Sequence, residues 1–159
     1  QIFPRWEVVR YLNPRVPWPY PEDGAETHLK EHIPKIEAGE LCAWMICLKE
    51  DTNSFIGRID LRPWDGETRD MRGFYLDPDY WGQGYMTEAA NRVTDFAFRD
   101  LGWPFLWLTN AAANTRSAAV KRRQGAVLIE TVRAEFIEGE MDKQVWRIDA
   151  ADWLARNPL

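Results

Sequence analysis

The sequence predicts one domain of the α/β or α+β class, built around a mixed sheet. Segments with strand-like patterning alternate along the chain with segments of helical periodicity, in the mixed order that this class shows. A chain of 159 residues buries one hydrophobic core and is too short for two ordinary domains, so we expect a single domain over residues 1–159. Its 45% hydrophobic and 28% charged residues are typical of a folded globular protein.

The N-terminal part predicts two helices with a proline-rich loop between them. Residues 5–12 have the apolar spacing of a short helix, and the prolines of residues 14–21 predict an extended loop. A second helix is predicted over residues 25–33, because acidic side chains lie near its start. Since Pro34 has no N–H to donate, we expect it to bend or interrupt this helix.

The rest of the chain predicts a sheet with helices between its strands. Apolar patterning predicts strands over residues 41–48, 55–61 and 72–76, of which the first two form a hairpin. Residues 87–99 have the clearest helical stripe in the chain, and Gly102 ends it. The remaining predicted elements are a strand at 105–109, a helix at 115–123 between an Asn114 cap and Gly125, strands at 127–137 and 143–148, and a terminal turn at 150–156.

Charge and composition exclude several classes of function. A net charge of −5 opposes binding to a phosphate backbone, so we expect no nucleic-acid partner. No apolar run approaches the roughly 20 residues of a membrane helix, so we expect no membrane partner either. Cys42 and Cys47 are predicted to point to opposite faces of one strand, which fits a reducing, cytoplasmic location. The basic residues 121–123 fall in the last turn of a predicted helix, where the helix dipole favours cations; ligand binding is the alternative.

One segment, residues 74–90 (FYLDPDYWGQGYMTEAA), has a chemical signature. It joins a predicted strand, through a proline bend and the turn Gly82-Gln83-Gly84, to the clearest predicted helix. Amide groups at a helix start lack helical partners and glycines allow close approach, so the pattern favours a pyrophosphate cradle. For the two glycines alone, a tight turn without a ligand is the simpler alternative. A dinucleotide fingerprint would need glycine at Thr87, and a P-loop would need Gly-Lys-Ser or Gly-Lys-Thr, so neither is predicted.

Residues 80–89 (YWGQGYMTEA) resemble the acetyl-CoA motif of GNAT acetyltransferases, in particular the branch of ribosomal-protein N-terminal alanine and serine acetyltransferases. A second match follows, because Asn114-Thr115-Arg116-Ser117 and Gly125 resemble the Asn-x-x-Ser helix of that branch, although Ala126 replaces the usual Phe. The resemblance covers residues 8–153. It lacks the first strand of the family, which would precede Gln1; because the chain does not start with Met, we expect that earlier residues were either removed or not observed.

The resemblance implies a GNAT fold, with helices on both faces of a central, twisted, mixed sheet. This sheet would splay between the strands at 72–76 and 105–109 and form a slot for acetyl-CoA, the co-substrate, with no metal. Backbone groups near Leu76 would bind the pantetheine arm, and the amides of residues 82–86 would hold the pyrophosphate. The residues that the resemblance places around CoA are Tyr75, Leu76, Trp81, Gly82, Gln83, Gly84, Tyr85, Met86, Asn114 and Ser117.

The resemblance also implies a general acid near the sulfur and a base near the amine. Many GNAT enzymes use a Tyr as the acid, but this chain has Lys121 at the matching place, and the Asn-x-x-Ser motif points to Ser117 instead. The alternative for Ser117 is a residue that caps backbone amides of the first helical turn. Glu135 is the expected base and Glu130 its competitor, because the match there needs one inserted residue. An exposed strand carboxylate is the alternative for either.

Two other patterns predict structure more than chemistry. His28-Leu29-Lys30-Glu31-His32 matches the H-x-x-E-H pattern of some zinc peptidases. Pro34 follows within one turn and no third ligand is evident, so we expect surface histidines and no metal. The nine Trp residues are expected in the core or in groove walls.

The sequence thus predicts an acetyl-CoA-dependent N-acetyltransferase whose acceptor is a primary amine, either a small molecule or a protein N-terminus. Residues 14–26 are expected to form one wall of the acceptor groove, and an acidic groove would suit a cationic acceptor. A homodimer is left open as an assembly. The alternative function is a non-catalytic CoA-binding sensor or interaction module on the same fold, which the missing tyrosine favours.

Overall fold

The computed structural model describes residues 2–3 and 5–158 and confirms the predicted α/β class. Its strands are β1 (Cys42–Cys47), β2 (Phe55–Leu61), β3 (Arg72–Leu76), β4 (Phe105–Ala111), β5 (Val127–Phe136) and β6 (Gly139–Asp149). Its helices are α1 (Trp6–Val9), α2 (Gly24–Glu37), α3 (Tyr85–Asp95), α4 (Thr115–Arg123) and α5 (Ala150–Arg156). The strands form two three-stranded antiparallel sheets, in the orders β1-β2-β3 and β4-β6-β5.

The first sheet is the predicted hairpin with β3 added to it. Cys42 of β1 lies opposite Leu61 of β2, and β2 in turn pairs with β3 from Gly57 to Leu61. Ile59 and Leu61 point into the core and are almost fully buried, whereas Met45 on β1 is 73% exposed. This alternation is the reason that the sequence pattern placed these strands correctly.

The second sheet has β6 at its centre and β4 at the edge that faces the first sheet. Leu106 and Leu108 of β4 are fully buried, as expected for an apolar strand that is covered on both faces. By contrast, β5 is the outer edge strand and most of its side chains are exposed. β6 begins at Gly139, four residues before the predicted start, because the polar residues there still pair with β5.

The two sheets meet at one point and then separate. Just before β3, the Met71 N–H donates to the Trp107 carbonyl of β4 over 2.9 Å, and the Thr109 hydroxyl donates to Asp70 over 3.0 Å. From Arg72 onward β3 pairs with β2, while β4 pairs with β6. The predicted splay is therefore present between β3 and β4, with its closed end at Met71 and Trp107.

The helices differ from their predictions mainly at their ends. α3 starts two residues before the predicted position and continues into a π-helical turn, Phe96–Asp100, before Gly102. α2 runs through Pro34 to Glu37, so Pro34 does not interrupt it, and the Ala38 N–H bonds the Pro34 carbonyl over 2.9 Å. Because Pro34 has no N–H, the Lys30 carbonyl lacks its helical donor, and Lys30 is an exposed residue. The predicted terminal turn is the helix α5.

Leu106→Ala should destabilise the fold by about 2–5 kcal/mol, because Leu106 is fully buried and its loss leaves a cavity. The matched control is Met45→Ala on the exposed face of β1, which should change the free energy of unfolding by about 0.5 kcal/mol or less. Urea unfolding followed by circular dichroism measures both values. Equal losses for the two variants would show that β4 does not form the core described here.

Candidate active site

A cleft opens between the diverging edges of β3 and β4 and continues along α1 and α2. We call this space the central cleft. The residues that border it in the region between the two sheets include Phe74, Tyr75, Thr109, Asn110, Ser117 and Lys121. Every residue that the sequence placed around CoA, and Glu135 as well, also borders this cleft. The fold therefore brings together side chains that lie far apart in the chain.

The turn before α3 leaves backbone amides available at the end of the cleft. Gly82 and Gly84 have positive φ angles of 76° and 91°, which bring the chain from the 3₁₀ turn Pro78–Tyr80 into the helix. Gly84 is the N-cap residue and has no side chain to cap the helix. The Glu88 N–H donates to the Gly84 carbonyl, so the three amides between them precede the helical ladder. This geometry fits a diphosphate, because helix-start amides carry partial positive charge.

Trp81 braces this turn against the end of β3. Its indole N–H donates to the Leu76 carbonyl over 2.8 Å, which occupies one of the two acceptor positions of that carbonyl. On its other side, the Arg116 guanidinium carbon lies 4.4 Å from the centre of the Trp81 ring. Arg116 also borders the central cleft, although only its place inside the Asn-x-x-Ser segment could have indicated it from sequence.

Asn114 and Ser117 have distinct roles in the first turn of α4. The Asn114 side-chain oxygen accepts the Ser117 N–H over 3.1 Å, so Asn114 is the N-cap as predicted. The Ser117 hydroxyl does not cap the helix, because its oxygen accepts a hydrogen bond of 2.8 Å from the Lys121 ammonium group one turn later. Ser117 therefore presents a hydroxyl that borders the cleft and is hydrogen-bonded from behind.

Lys121 is buried, contrary to what its place in a run of basic residues indicates. Its side chain is 2% exposed, whereas Arg122 and Arg123 are exposed as the helix-dipole interpretation requires. The Lys121 Nζ lies 5.3 Å from the centre of the Phe74 ring on β3. Burial, and then the nearby Arg72, lower the pKa of Lys121 from 10.5 to about 7, and Asp70 acts weakly in the opposite direction.

Arg72 is a second buried cation, and it links the elements around the cleft. Its guanidinium donates to the Thr94 hydroxyl of α3 over 2.9 Å and to the Gln124 side-chain oxygen at the end of α4 over 2.7 Å. Gln124 also donates to Thr94 over 3.1 Å, which closes a triangle of hydrogen bonds. Burial lowers the pKa of Arg72 to about 10, so the side chain stays charged at neutral pH. Sequence reasoning missed this residue, since a lone Arg in a short strand has no distinctive signal.

The two candidate carboxylates on β5 differ in their surroundings. Glu135 is exposed and borders the central cleft together with its neighbours Ala134 and Phe136. Glu130 is not part of the cleft lining and forms an ion pair of 2.6 Å with Arg69. This placement favours Glu135 as the group that meets a substrate, and its role as a base stays a prediction.

The comparison with protein families decides the family of this chain. The model of the acetyltransferase (GNAT) domain matches residues 1–127. The chain belongs to the GNAT acetyltransferase family. Among curated proteins it is 36% identical, over 59 residues, to the FsC-acetyl coenzyme A-N(2)-transacetylase of Aspergillus fumigatus. That match spans 37% of this chain and 25% of the relative.

Solved structures share the fold of this GNAT chain. A ribosomal-protein-S5-alanine acetyltransferase from Vibrio fischeri matches with a TM-score of 0.69 at 19% identity, over 82% of this chain and 73% of that one. A ribosomal L7/L12 alpha-N-protein acetyltransferase in complex with coenzyme A gives 0.73 at 17% identity, over 88% and 78%. A variant of spermidine N-acetyltransferase from Vibrio cholerae gives 0.71 at 17% identity, over 86% and 82%.

The outer part of the GNAT cleft is formed by α1, α2 and the loop between them. Tyr20 and Gly24 border the cleft, together with other residues of the expected wall at 14–26. His28 and His32 are not the expected surface residues, because they are partly buried and both accept hydrogen bonds from Arg58. Burial, then His32 and Arg58, lower the pKa of His28 to about 4, so it is neutral at pH 7.

The charges around the cleft contain both signs. Its lining has more Lys and Arg than Asp and Glu, so the net negative charge of the chain is not concentrated there. No group of three or more His, Cys, Asp or Glu side chains suited to a metal ion occurs within residues 2–3 and 5–158. In the same described part of the chain, no helix is both long and apolar enough to cross a bilayer.

Gly84→Ala should weaken CoA binding far more than it weakens the fold. An added Cβ meets no protein atom within 4 Å, but the φ of 91° opposes a side chain by roughly 1–2 kcal/mol and the Cβ lies at the start of the cradle. Isothermal titration with CoA measures the affinity, and thermal unfolding measures the stability.

Gly66→Ala is the matched control for this variant. Gly66 has nearly the same φ, 92°, and its added Cβ also meets nothing within 4 Å, but the residue does not border the cleft. Both variants should therefore lose similar stability, and Gly84→Ala alone should lose CoA affinity. Equal CoA affinity in the two variants would show that Gly84 serves the turn alone and has no role in CoA binding.

Proposed function

We propose that this protein transfers an acetyl group from acetyl-CoA directly to a primary amine. The observation that carries the proposal is the convergence of three groups on one cleft: the helix-start amides after Gly84, the Ser117 hydroxyl and the Glu135 carboxylate. A site that only bound an anion would need the amides alone. The cleft instead combines an anion site with two side chains that can transfer protons.

The binding half of the site uses mainly backbone groups. The amides between Gly84 and Glu88 would hold the pyrophosphate, and the backbone at Tyr75 and Leu76 would hydrogen-bond the pantetheine arm in the gap beside β4. The free acceptor position of the Leu76 carbonyl, which Trp81 leaves open, suits this role. CoA would then direct its sulfur toward Asn114 and Ser117 at the start of α4.

The chemical half of the site requires two proton transfers. Glu135 accepts a proton from the amine, which makes the nitrogen nucleophilic, and Ser117 donates a proton to the sulfur as the C–S bond breaks. Glu130 is less suited to the first role, because Arg69 already pairs with it away from the cleft. Direct attack by the acceptor needs no acetylated enzyme.

The acceptor is a small amine or a protein N-terminus. The structural neighbours include enzymes named for ribosomal proteins and for spermidine, so the shared fold serves both kinds of acceptor. The surplus of basic side chains around this cleft does not favour a polycation such as spermidine. We therefore favour an acceptor with one reactive amine and little further positive charge.

The decisive test is turnover with a panel of amines. Acetyl-CoA is incubated with the protein and with an N-terminal peptide, spermidine, lysine or a neutral small amine, and release of free thiol is followed. We expect saturable release that depends on the acceptor, highest for the neutral amine or the peptide. Tight CoA binding with no release for any acceptor would instead support a non-catalytic CoA sensor, and absence of CoA binding would remove both functions.

Glu135→Gln should lower the rate mainly at low pH. At low pH the acceptor amine is protonated and needs a base, whereas at high pH the free amine forms without help, so the loss should shrink as the pH rises. Steady-state kinetics from pH 6 to pH 9 measure this profile. The matched control is Glu130→Gln on the same strand, which should keep the profile of the unmodified protein. If Glu130→Gln shows the pH-dependent loss and Glu135→Gln does not, the base is Glu130.

A further inference from the structure

Lys121 is a buried lysine whose ammonium group reaches the active-site hydroxyl. It is among the largest fully buried side chains of the described residues, and the only described hydrogen bond of its ammonium group is the 2.8 Å contact with the Ser117 oxygen. Lys121, Ser117 and Phe74 all border the central cleft. Lys121 and Ser117 thus border the same cleft and are joined there by a hydrogen bond.

The surroundings of Lys121 do not neutralise its charge. No carboxylate lies within ion-pair distance of Nζ among residues 2–3 and 5–158, and the face of Phe74 gives only a weak attraction. The charged groups that act on it from packed elements are Arg72 on β3 and Asp70 just before β3. A buried charge without a partner destabilises a fold, so a lysine at this place calls for a functional explanation.

We propose that Lys121 is the proton source for the departing thiolate and delivers its proton through Ser117. This inference rests on the proposed acetyl transfer and assigns one further residue to it. The acceptor nitrogen attacks the thioester carbon and forms the C–N bond, and the C–S bond then breaks with its electron pair on sulfur. The Ser117 hydroxyl gives its proton to sulfur and receives one from the Lys121 ammonium. Lys121 is left as a neutral amine, which solvent protonates again, while the proton lost by the acceptor nitrogen goes to Glu135.

The acidity of Lys121 suits this relay. An ordinary lysine holds its proton too tightly to serve as an acid at neutral pH, but burial and Arg72 lower the pKa of Lys121 to about 7. A donor is most effective when its pKa lies near the working pH, because it is then both protonated and a strong enough acid. Ser117 alone could donate only if its hydroxyl were reprotonated at once, and Lys121 supplies that proton at hydrogen-bond distance.

Lys121→Met tests the proton source, because methionine has a similar length and no proton to give. With acetyl-CoA, kcat should fall on the order of 10²-fold while CoA affinity is retained. The ratio of the wild-type rate to the variant rate should be constant below pH 7 and should fall about tenfold per pH unit above it, as the ammonium is lost. Protonation of the acceptor amine affects both proteins alike and cancels in this ratio. A ratio that does not change with pH would overturn the proposal.

A second acetyl donor, acetyl-seleno-CoA, distinguishes a loss of proton transfer from a distorted active site. In acetyl-seleno-CoA the leaving selenolate is a much weaker base than a thiolate and departs without a proton. The defect of Lys121→Met should therefore largely disappear with this donor, whereas a distorted active site would be equally slow with both donors. Equal defects would assign Lys121 to structure alone.

The folding of the variant is an independent measurement. Because the pKa of Lys121 is lower in the folded protein than the ordinary 10.5, its charge opposes folding fully below about pH 7, and the opposition fades as the pH rises toward 10.5. Lys121→Met should accordingly raise the melting temperature most at pH 6 and least at pH 9.

If Lys121→Met fails to fold, Ser117→Ala tests the same relay. This variant should lower kcat on the order of 10²-fold, and its rate should lack the decline above pH 7 that loss of the Lys121 proton causes in the unmodified protein.

Ser117→Ala and Lys121→Met should also be non-additive. If the two residues form one relay, the double variant should be about as slow as either single variant. Rate losses that multiply would show independent roles and overturn the relay.

If the unmodified protein releases no thiol with any acceptor, the proposed function fails and this inference falls with it. If it turns over and Lys121→Met is equally fast, only the role of Lys121 is wrong.

Discussion

The hydrogen bonds of the buried Arg72 guanidinium are the interactions on which the geometry of the central cleft depends. Arg72 stands at the start of β3, where the two sheets separate, and bonds to Thr94 on α3 and to Gln124 at the end of α4. One side chain therefore links the strand that forms one edge of the cleft to both helices that carry the candidate site. Without such a link, two sheets that separate after one shared backbone hydrogen bond would have little to fix the width of the gap.

The same guanidinium has an electrostatic effect on Lys121. Two cations buried close together raise the free energy of the state in which both are charged, and lysine releases its proton more readily than arginine. Burial, and then Arg72, lower the pKa of Lys121 to about 7, whereas Arg72 keeps its charge with a pKa of about 10. The network that links β3, α3 and α4 thus also lowers the pKa of the lysine whose ammonium group bonds Ser117. The same buried Arg72 therefore links β3, α3 and α4 and increases the acidity of Lys121, and the burial of two cations lowers the stability of the fold.

The two halves of the cleft obey different physical constraints. The half proposed to bind CoA presents backbone amides, positive-φ glycines and a helix start, and these features tolerate wide change in other side chains, in keeping with shared folds at identities of 17–19%. The outer half, proposed to hold the acceptor, is lined by side chains of α1 and α2, where the pair His28 and His32 contacts Arg58. Selection between acceptors therefore depends on side-chain chemistry that the fold does not prescribe.

The sequence by itself determined the elements whose signals are local. Strand alternation in β2 and β3, the Asn114 cap with the Gly125 stop of α4, and the glycine turn before α3 depend on neighbouring residues, and the structure agrees with each of them. The family resemblance added the splayed sheet and the members of the CoA site. Pro34 was expected to bend or interrupt α2, and the helix is not interrupted; the outcome depends on whether water can reach the freed carbonyl, which is a property of the folded surface.

Only the tertiary structure decided the state of the buried charges. In the sequence, Lys121 is one of three basic residues in a helix end, and its place marks a missing tyrosine. Folding turns it inward against Phe74 and Arg72, while Arg122 and Arg123 stay in solvent. Likewise, the sequence does not distinguish Glu130 from Glu135 on β5. In the folded chain Glu135 borders the central cleft, whereas Glu130 forms an ion pair with Arg69. Burial and charge at a site are sums over residues distant in the chain, and local sequence patterns contain no measure of them.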